Sequence, residues 1–400
     1  GAEASVKLEE FDKALQFLEI YIANGGDELD KAYGYQGAIL LDQRKAEAAE
    51  EAFRKASEIN PDNIRAKQQL CLILLCQGRR SESRPIRFEM LKHGDLLTED
   101  LTFLGNPQAI LSATDFLEGF LIEDPQFTVP HLGLGKLAEK SSQLAEAEKH
   151  YKAVIEKFPE QAESQARLGH VLLAKPAKER EALLKSWNDS LPESTFTHAE
   201  IWVVRGLWCQ QRRDWDSAVR CFWEALKRDA IHTRASIQLS VSLGAVGDAE
   251  VAKAFQTQAN YLQELERISD QVHEFGGTLR GMARAAELAE KLGRYWEAEG
   301  WARVALSYDA ESNVDGTEEN RQAATRENQK AHVLAEKVRQ RVSMKLGSEL
   351  PQIAPEFLVA EKTDLSRYPI PHFRNLVEPV AYVVGEILQR TPRFGEVTKN

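Results

Sequence analysis

Nine histidines, four cysteines and one glycine-rich phrase ending in lysine are the residues of this chain whose types could do chemistry. Their spacing decides which chemistry is open. A metal site on helices needs ligands one turn apart or flanking a tight turn. The histidines, at positions 93, 131, 150, 170, 198, 232, 273, 332 and 372, form no HxxxH pair. Cys71, Cys76, Cys209 and Cys221 form no CxxC pair, and all four fall inside helical patterns where small buried thiols are common. A Cys209–Cys221 bridge is the one disulfide that consecutive helices of a hairpin would permit. Gly133-Leu134-Gly135-Lys136 carries the glycines and lysine of a phosphate cradle but lacks the P-loop spacing and its hydroxyl. No Ser/His/Asp arrangement stands out, and carboxylates are too frequent on these helices to mark a catalytic pair. The residues point away from an enzyme, a cofactor or a metal centre.

The elements that must position these residues are helices in pairs. Between Asp30 and Asn63, small and large residues recur as Tyr33, Gly37, Leu40, Ala49, Phe53, Ala56 and Pro61. The phrase returns at 128–161 as Leu134, Gly135, Ala147, Tyr151 and Pro159, and at 199–232 as Trp202, Gly206, Cys209, Ala218, Phe222 and Ala225. A spacing near 34 residues is that of two short helices and two turns. Weaker copies are read at 64–93, 94–127, 162–198, 233 onward and 279–312. The second helix after Thr233 runs on toward Phe275 before Gly276-Gly277 stops it, about 12 residues beyond the usual repeat.

In these positions the chain resembles the tetratricopeptide-repeat (TPR) family. The resemblance implies an all-α fold, a right-handed superhelical solenoid whose first helices line a concave face that holds a peptide or a helix. Small residues are required where paired helices cross, since their axes lie about 8–10 Å apart. Gly37, Gly135, Gly169 and Gly206 fill that place in first helices, with Ala49, Ala147, Ala218 and Ala298 opposite.

Projecting the first helices onto that face selects Lys31, Arg65, Gln68, Leu72, Lys136, Glu139, His170, Val203, Leu207, Gln210, Arg234, Ile237, Arg280 and Glu287 as candidate groove residues. Apolar and charged types alternate among them, as a few anchors inside a polar rim require. One TPR subfamily holds chaperone C-termini with a basic and asparagine clamp. The matching positions here are Gly34 and Ala38, Gln68 and Leu72, or Val203 and Leu207, so the clamp is missing. Trp202 and Trp223 fit core places, whereas Trp208 and Trp215 fall nearer the inter-helix edge.

A formal net charge of −11 makes the phosphate-neutralising term unfavourable, which excludes a nucleic-acid partner. No apolar run reaches the roughly 18 residues of a membrane span. The chain opens Gly1-Ala2 rather than with methionine, which suggests a trimmed N-terminus. The expected division is a solitary or truncated repeat helix over 1–29, an array of about seven hairpins over 30–312, a capping helix over 313–346 and an extended proline-containing tail over 347–400. Within the tail, Tyr368-Pro369-Ile370-Pro371-His372-Phe373 is pre-extended by its prolines and suited to docking on an array in cis. Arg393-Phe394-Gly395-Glu396-Val397-Thr398 resembles the opening of FG-GAP / ASPIC–UnbV-type propeller domains, with Gly395 departing from the pattern. That likeness implies a larger bacterial protein, periplasmic or exported; without it the compartment stays open, the cytoplasm included. The function expected is a protein–protein interaction scaffold, with a docking module of such a larger protein or a homo-oligomer assembly unit as alternatives.

Overall fold

The computed structural model of the protein describes residues 2–94, 98–106, 114–123, 130–308, 318–347 and 365–369. Among them are eighteen α-helices and no strand. They fall into two compact units, one built from residues 1–95 and 110–157, the other from 96–109 and 158–400.

The first unit holds α1 (Ala2–Ala23), α2 (Leu29–Asp42), α3 (Ala46–Ile59), α4 (Ile64–Cys76) and α5 (Arg80–His93). Next in the chain comes α6 (Thr98–Gly105), which belongs to the second unit. The chain then returns to the first with α7 (Thr114–Glu123), α8 (Pro130–Lys140) and α9 (Leu144–Lys157). The second unit continues as α10 (Ala162–Leu173), α11 (Ala177–Ser190), α12 (Ala199–Gln211), α13 (Trp215–Arg228), α14 (Thr233–Ala245), α15 (Ala249–Phe275), α16 (Leu279–Lys291), α17 (Tyr295–Ser307) and α18 (Glu318–Ser343).

Six hairpins turn in the same way. Arg44, Gly78, Ser142, Arg213, Gly247 and Gly293 each take a positive φ between their two helices. The next amide then bonds back to the carbonyl five residues earlier, as in Lys45 to Leu40, Arg79 to Leu74, Asp214 to Cys209 and Arg294 to Ala289. This is the left-handed closure that satisfies the last carbonyls of a helix. Three of the six left-handed residues are not glycine, which is why the turns do not announce themselves uniformly in the sequence.

Inside four of the helix pairs, a glycine faces an aromatic ring. A Cβ at Gly37 would come 2.9 Å from the Phe53 ring, one at Gly206 2.6 Å from Phe222, and one at Gly169 2.8 Å from Trp187. Gly135 abuts the Tyr151 ring in the same way. Trp202, Phe222, Leu239 and Phe255 then join one core running through α12, α13, α14 and α15. The four cysteines are buried and free, so no Cys209–Cys221 bridge forms. Burial pushes the Cys76 thiol up to about 11.

The largest departure from the sequence reading concerns 94–127, expected as one hairpin. α6 instead lies against α15 and α17, while α7 packs on α8. Asn106 Nδ2 donates to Asp270 Oδ1 at 2.6 Å, and the Phe103 and His273 rings stand 5.2 Å apart. Both partners, Asp270 and His273, belong to the extra turns of α15. The unusual length of α15 therefore has a physical reason, since its extension provides the surface on which α6 sits. α18 packs on α16 and α17 through Ala331, Ala335, Val338 and Val342, all buried.

Candidate functional site

The candidate groove residues divide by unit. In the first, Lys31 and Arg65 are exposed, and Lys31 pairs with Glu28 one turn before it. Gln68 is half-buried, Leu72 is exposed, and Glu139 accepts a hydrogen bond from the Tyr151 hydroxyl at 2.6 Å. Lys136 is not a groove residue. It is buried, and its Nζ donates to the Gly78 carbonyl at 2.6 Å, holding the α4–α5 turn against α8.

In the second unit Val203 also leaves the candidate set, because it has no accessible surface and lies in the core of α12–α15. Leu207, Gln210 and Ile237 are half-buried, and Arg234 and Arg280 are exposed. Gln210 Nε2 donates to Ser242 Oγ at 2.9 Å and so spans from α12 to α14. On α14, Arg234 and Ile237 continue into Val241, which is 49% exposed and was not among the residues selected from the sequence. These three stand at i, i+3 and i+7, one helical stripe. Glu287 is held by Arg284 at 2.6 Å and Lys291 at 2.9 Å.

At one end of this stripe three first helices bring together a polar cluster. His170 of α10 donates from Nε2 to Glu200 Oε2 of α12 at 2.9 Å. His232, the residue capping α14, places Nε2 3.3 Å from Glu200 Oε1, and its Nδ1 accepts the Ala235 amide at 3.2 Å. Arg234 Nη1 donates to His170 Nδ1 at 3.5 Å, and Arg167 Nη2 stands 3.7 Å from Glu200. Each imidazole thus receives a proton donor at Nδ1 and turns Nε2 toward the carboxylate. This assigns the Nε2–H tautomer from the bonding pattern. Glu200 and His232 were not selected from the sequence. The available signal was that Glu200 and Arg234 occupy the second place of consecutive repeats with opposite charge.

Burial pushes the Glu200 carboxyl up, but His232 and His170 outweigh it and hold it well below the carboxylate range. Burial also disfavours protonation of both histidines. At His232 the Glu200 carboxylate wins and its pKa is raised, whereas at His170 burial wins and its pKa is lowered. The signs follow from linkage. His232 contributes stability that is present below about 6.5 and lost as pH rises through its raised value. His170 contributes stability present above that value and lost as pH falls through its lowered one. In an NMR titration of the imidazole signals, His232 is expected to titrate above His170. Glu200→Gln should reverse the shift of His232, leaving burial to lower it. Coincident titrations, unmoved by that substitution, would contradict the cluster.

One other feature came only from the structure. His131 and His150, far apart in sequence, face each other with Nδ1 atoms 2.8 Å apart. Burial lowers both pKa values, so one neutral ring donates to the other. Among the described residues, no group of three or more His, Cys, Asp or Glu is arranged to hold a metal ion. Trp208 is buried, donating from Nε1 to Glu181 at 2.9 Å, whereas Trp215 is half-buried. In the tail, Leu365–Pro369 packs beside α13, while Ile370–Phe373 and the Arg393–Thr398 phrase lie outside the described residues.

No family model matches the chain, and no curated protein matches it. Among solved structures it is similar to the yeast Tom70 crystal structure, with 13% identity over 86% of each chain and a TM-score of 0.26. It is also similar to the TPR2AB-domain:pHSP90 complex of yeast Sti1, with 15% identity over 78% of this chain and 100% of that one, and a TM-score of 0.17. Scores this low carry no argument beyond the helix hairpins described above. The FG-GAP / ASPIC–UnbV likeness finds no support in these comparisons.

Proposed function

We propose that the protein is an interaction scaffold that binds a peptide or short helix along the first-helix face of α10, α12 and α14. The observation that carries this reading is the α14 stripe of Arg234, Ile237 and Val241, an apolar surface left open beside a charged rim. Leu207 and Gln210 of α12 extend it on one side, and the His170–Glu200–His232 cluster closes one end. Apolar anchors framed by polar groups are what a protein-binding patch needs. The cluster fixes the side chains beneath the rim, so little ordering remains to oppose binding. The described contacts of the tail lie with α13 and α15, on the second-helix side, and do not compete for this face.

Peptides selected from a displayed random library against the full chain test the reading. Ile237→Glu and Arg234→Glu are each expected to weaken the selected peptides by at least about tenfold, roughly 1.4 kcal/mol, with helical content unchanged. Binding indifferent to both substitutions would remove this face from consideration.

A further inference from the structure

Residues Leu365–Pro369 are seated in the second unit as a ligand is seated. Leu365 has no accessible surface and joins the core formed by Val219, Phe222, Val251 and Phe255. Arg220 of α13 donates from Nη1 to the carbonyls of Ser366, at 2.5 Å, and Tyr368, at 3.2 Å. Arg367 pairs with Asp248, the residue preceding α15, at 2.5 Å. Tyr368 packs on the same core, and its amide closes a turn on the Leu365 carbonyl at 3.2 Å.

The roles divide by chemistry. Carbonyl capture by Arg220 recognises a backbone shape whatever the side chains. The apolar pocket and Asp248 select an apolar residue and a cation two positions later. Arg220 is held by Glu224 at 3.0 Å, and Glu224 is itself bound by Arg228 at 2.8 Å. The guanidinium is therefore held in place from the helix side, and such preorganisation lowers the cost of binding.

We propose that this pocket between α13 and the start of α15 is a second peptide-binding site. It takes a short turn-forming segment with an apolar residue, a basic residue two places on and an aromatic residue next to it. Leu365–Pro369 fills it in cis. A tethered segment acts at an effective concentration on the order of millimolar, so the native chain masks the site from free peptide of the same kind.

The test uses a fluorescent peptide spanning residues 361–371 and the full chain. In a chain carrying Leu365→Asp and Arg367→Ala the pocket is vacated, and fluorescence anisotropy should show saturable binding at least about tenfold tighter than to the native chain, as loss of an intramolecular competitor predicts. Adding Asp248→Lys to the vacated chain should weaken that binding, and a peptide with Arg367→Glu should restore it. Arg367→Ala alone, at a half-exposed side chain outside the core, gives a second chain with a weakened intramolecular competitor should Leu365→Asp perturb folding, and is likewise expected to bind the peptide more tightly than the native chain. Equal binding to native and vacated chains, no saturable binding to the vacated one, or indifference to the Asp248 exchange would overturn the proposal.

Discussion

Arg294→Met is expected to destabilise the second unit by about 3–5 kcal/mol, the range for breaking a buried ion pair from one side. Arg294 follows the left-handed Gly293 and stands at the start of α17 with 1% of its surface exposed. Its Nε donates to Glu297 Oε1 at 2.9 Å, and its Nη2 donates to the Leu104 carbonyl of α6 at 2.8 Å. Removing the guanidinium leaves the Glu297 carboxylate buried without its cation, and leaves an α6 carbonyl without its donor. The double change Arg294→Met with Glu297→Leu should recover most of the loss, because no uncompensated charge remains. Urea unfolding read by tryptophan fluorescence checks the energies, with the buried Trp301 of α17 as a local reporter. Hydrogen exchange should show α6 amides released first. A loss below about 1 kcal/mol, the scale of an exposed pair, would mean that the pair does not anchor α6.

Gly133→Ala is expected to destabilise the first unit by about 1–3 kcal/mol through overpacking, and Gly133→Leu by more. A Cβ at Gly133 would fall on the Cys76 carbonyl oxygen of α4 and 2.8 Å from a Leu117 methyl. A backbone oxygen at a helix end cannot rotate aside as a side chain can, so α8 and α4 would have to separate. Lys136, whose Nζ reaches the Gly78 carbonyl across the same contact, would lose its bond as they parted. Gly34 of α2 supplies a control of opposite sign, because nothing lies within 4 Å of its virtual Cβ. Gly34→Ala should stabilise by about 0.5–1 kcal/mol, the helical preference for alanine. Thermal unfolding of the two variants side by side checks the pair of signs. A neutral Gly133→Ala would refute the close α4–α8 approach.

The hairpins were legible because their signal is steric and local. A glycine in one helix and an aromatic residue some 16 positions on, as in Gly37 with Phe53 and Gly206 with Phe222, can be read from spacing alone. The address of α6 was not legible. Leu101 and Leu104 reveal that this helix buries a face, but periodicity says nothing about which helix covers it. The extension of α15 was visible to Phe275, yet its reason required knowing where α6 lands. Lys136 and Val203 were misassigned because the repeat register gives a side chain's direction and not what stands opposite. Glu200 was passed over because one carboxylate among many on helices looks solvated until two histidines are found beside it. His232 was hidden by acting as a helix cap, a role for which the sequence favours Ser, Thr, Asp or Asn.

Arg79 and Arg294 show a recurrence that is clearer in space than in sequence. Both follow the left-handed residue of a hairpin turn, both are buried, and both pair with a glutamate three places later, Glu82 and Glu297. Arg79 also reaches Glu50 of the preceding hairpin at 2.5 Å. Burial raises the Glu50 carboxyl, but Arg79 and Arg54 outweigh it and hold it below the usual range. The turn that closes one hairpin thus also ties it to another element, which couples local helix capping to stacking of the array.

Docking of ligands on the first-helix face of α10, α12 and α14 can be read out by site-specific photo-cross-linking. A benzophenone amino acid replaces Ile237 of α14 in one copy of the 400-residue chain and the exposed Lys178 of α11 in another, and each is irradiated with a library-selected peptide. Cross-links are expected from position 237 and none from 178, with the linked peptide displaced by excess unlabelled peptide. Cross-links from 178 alone, or from neither position while binding persists, would contradict it.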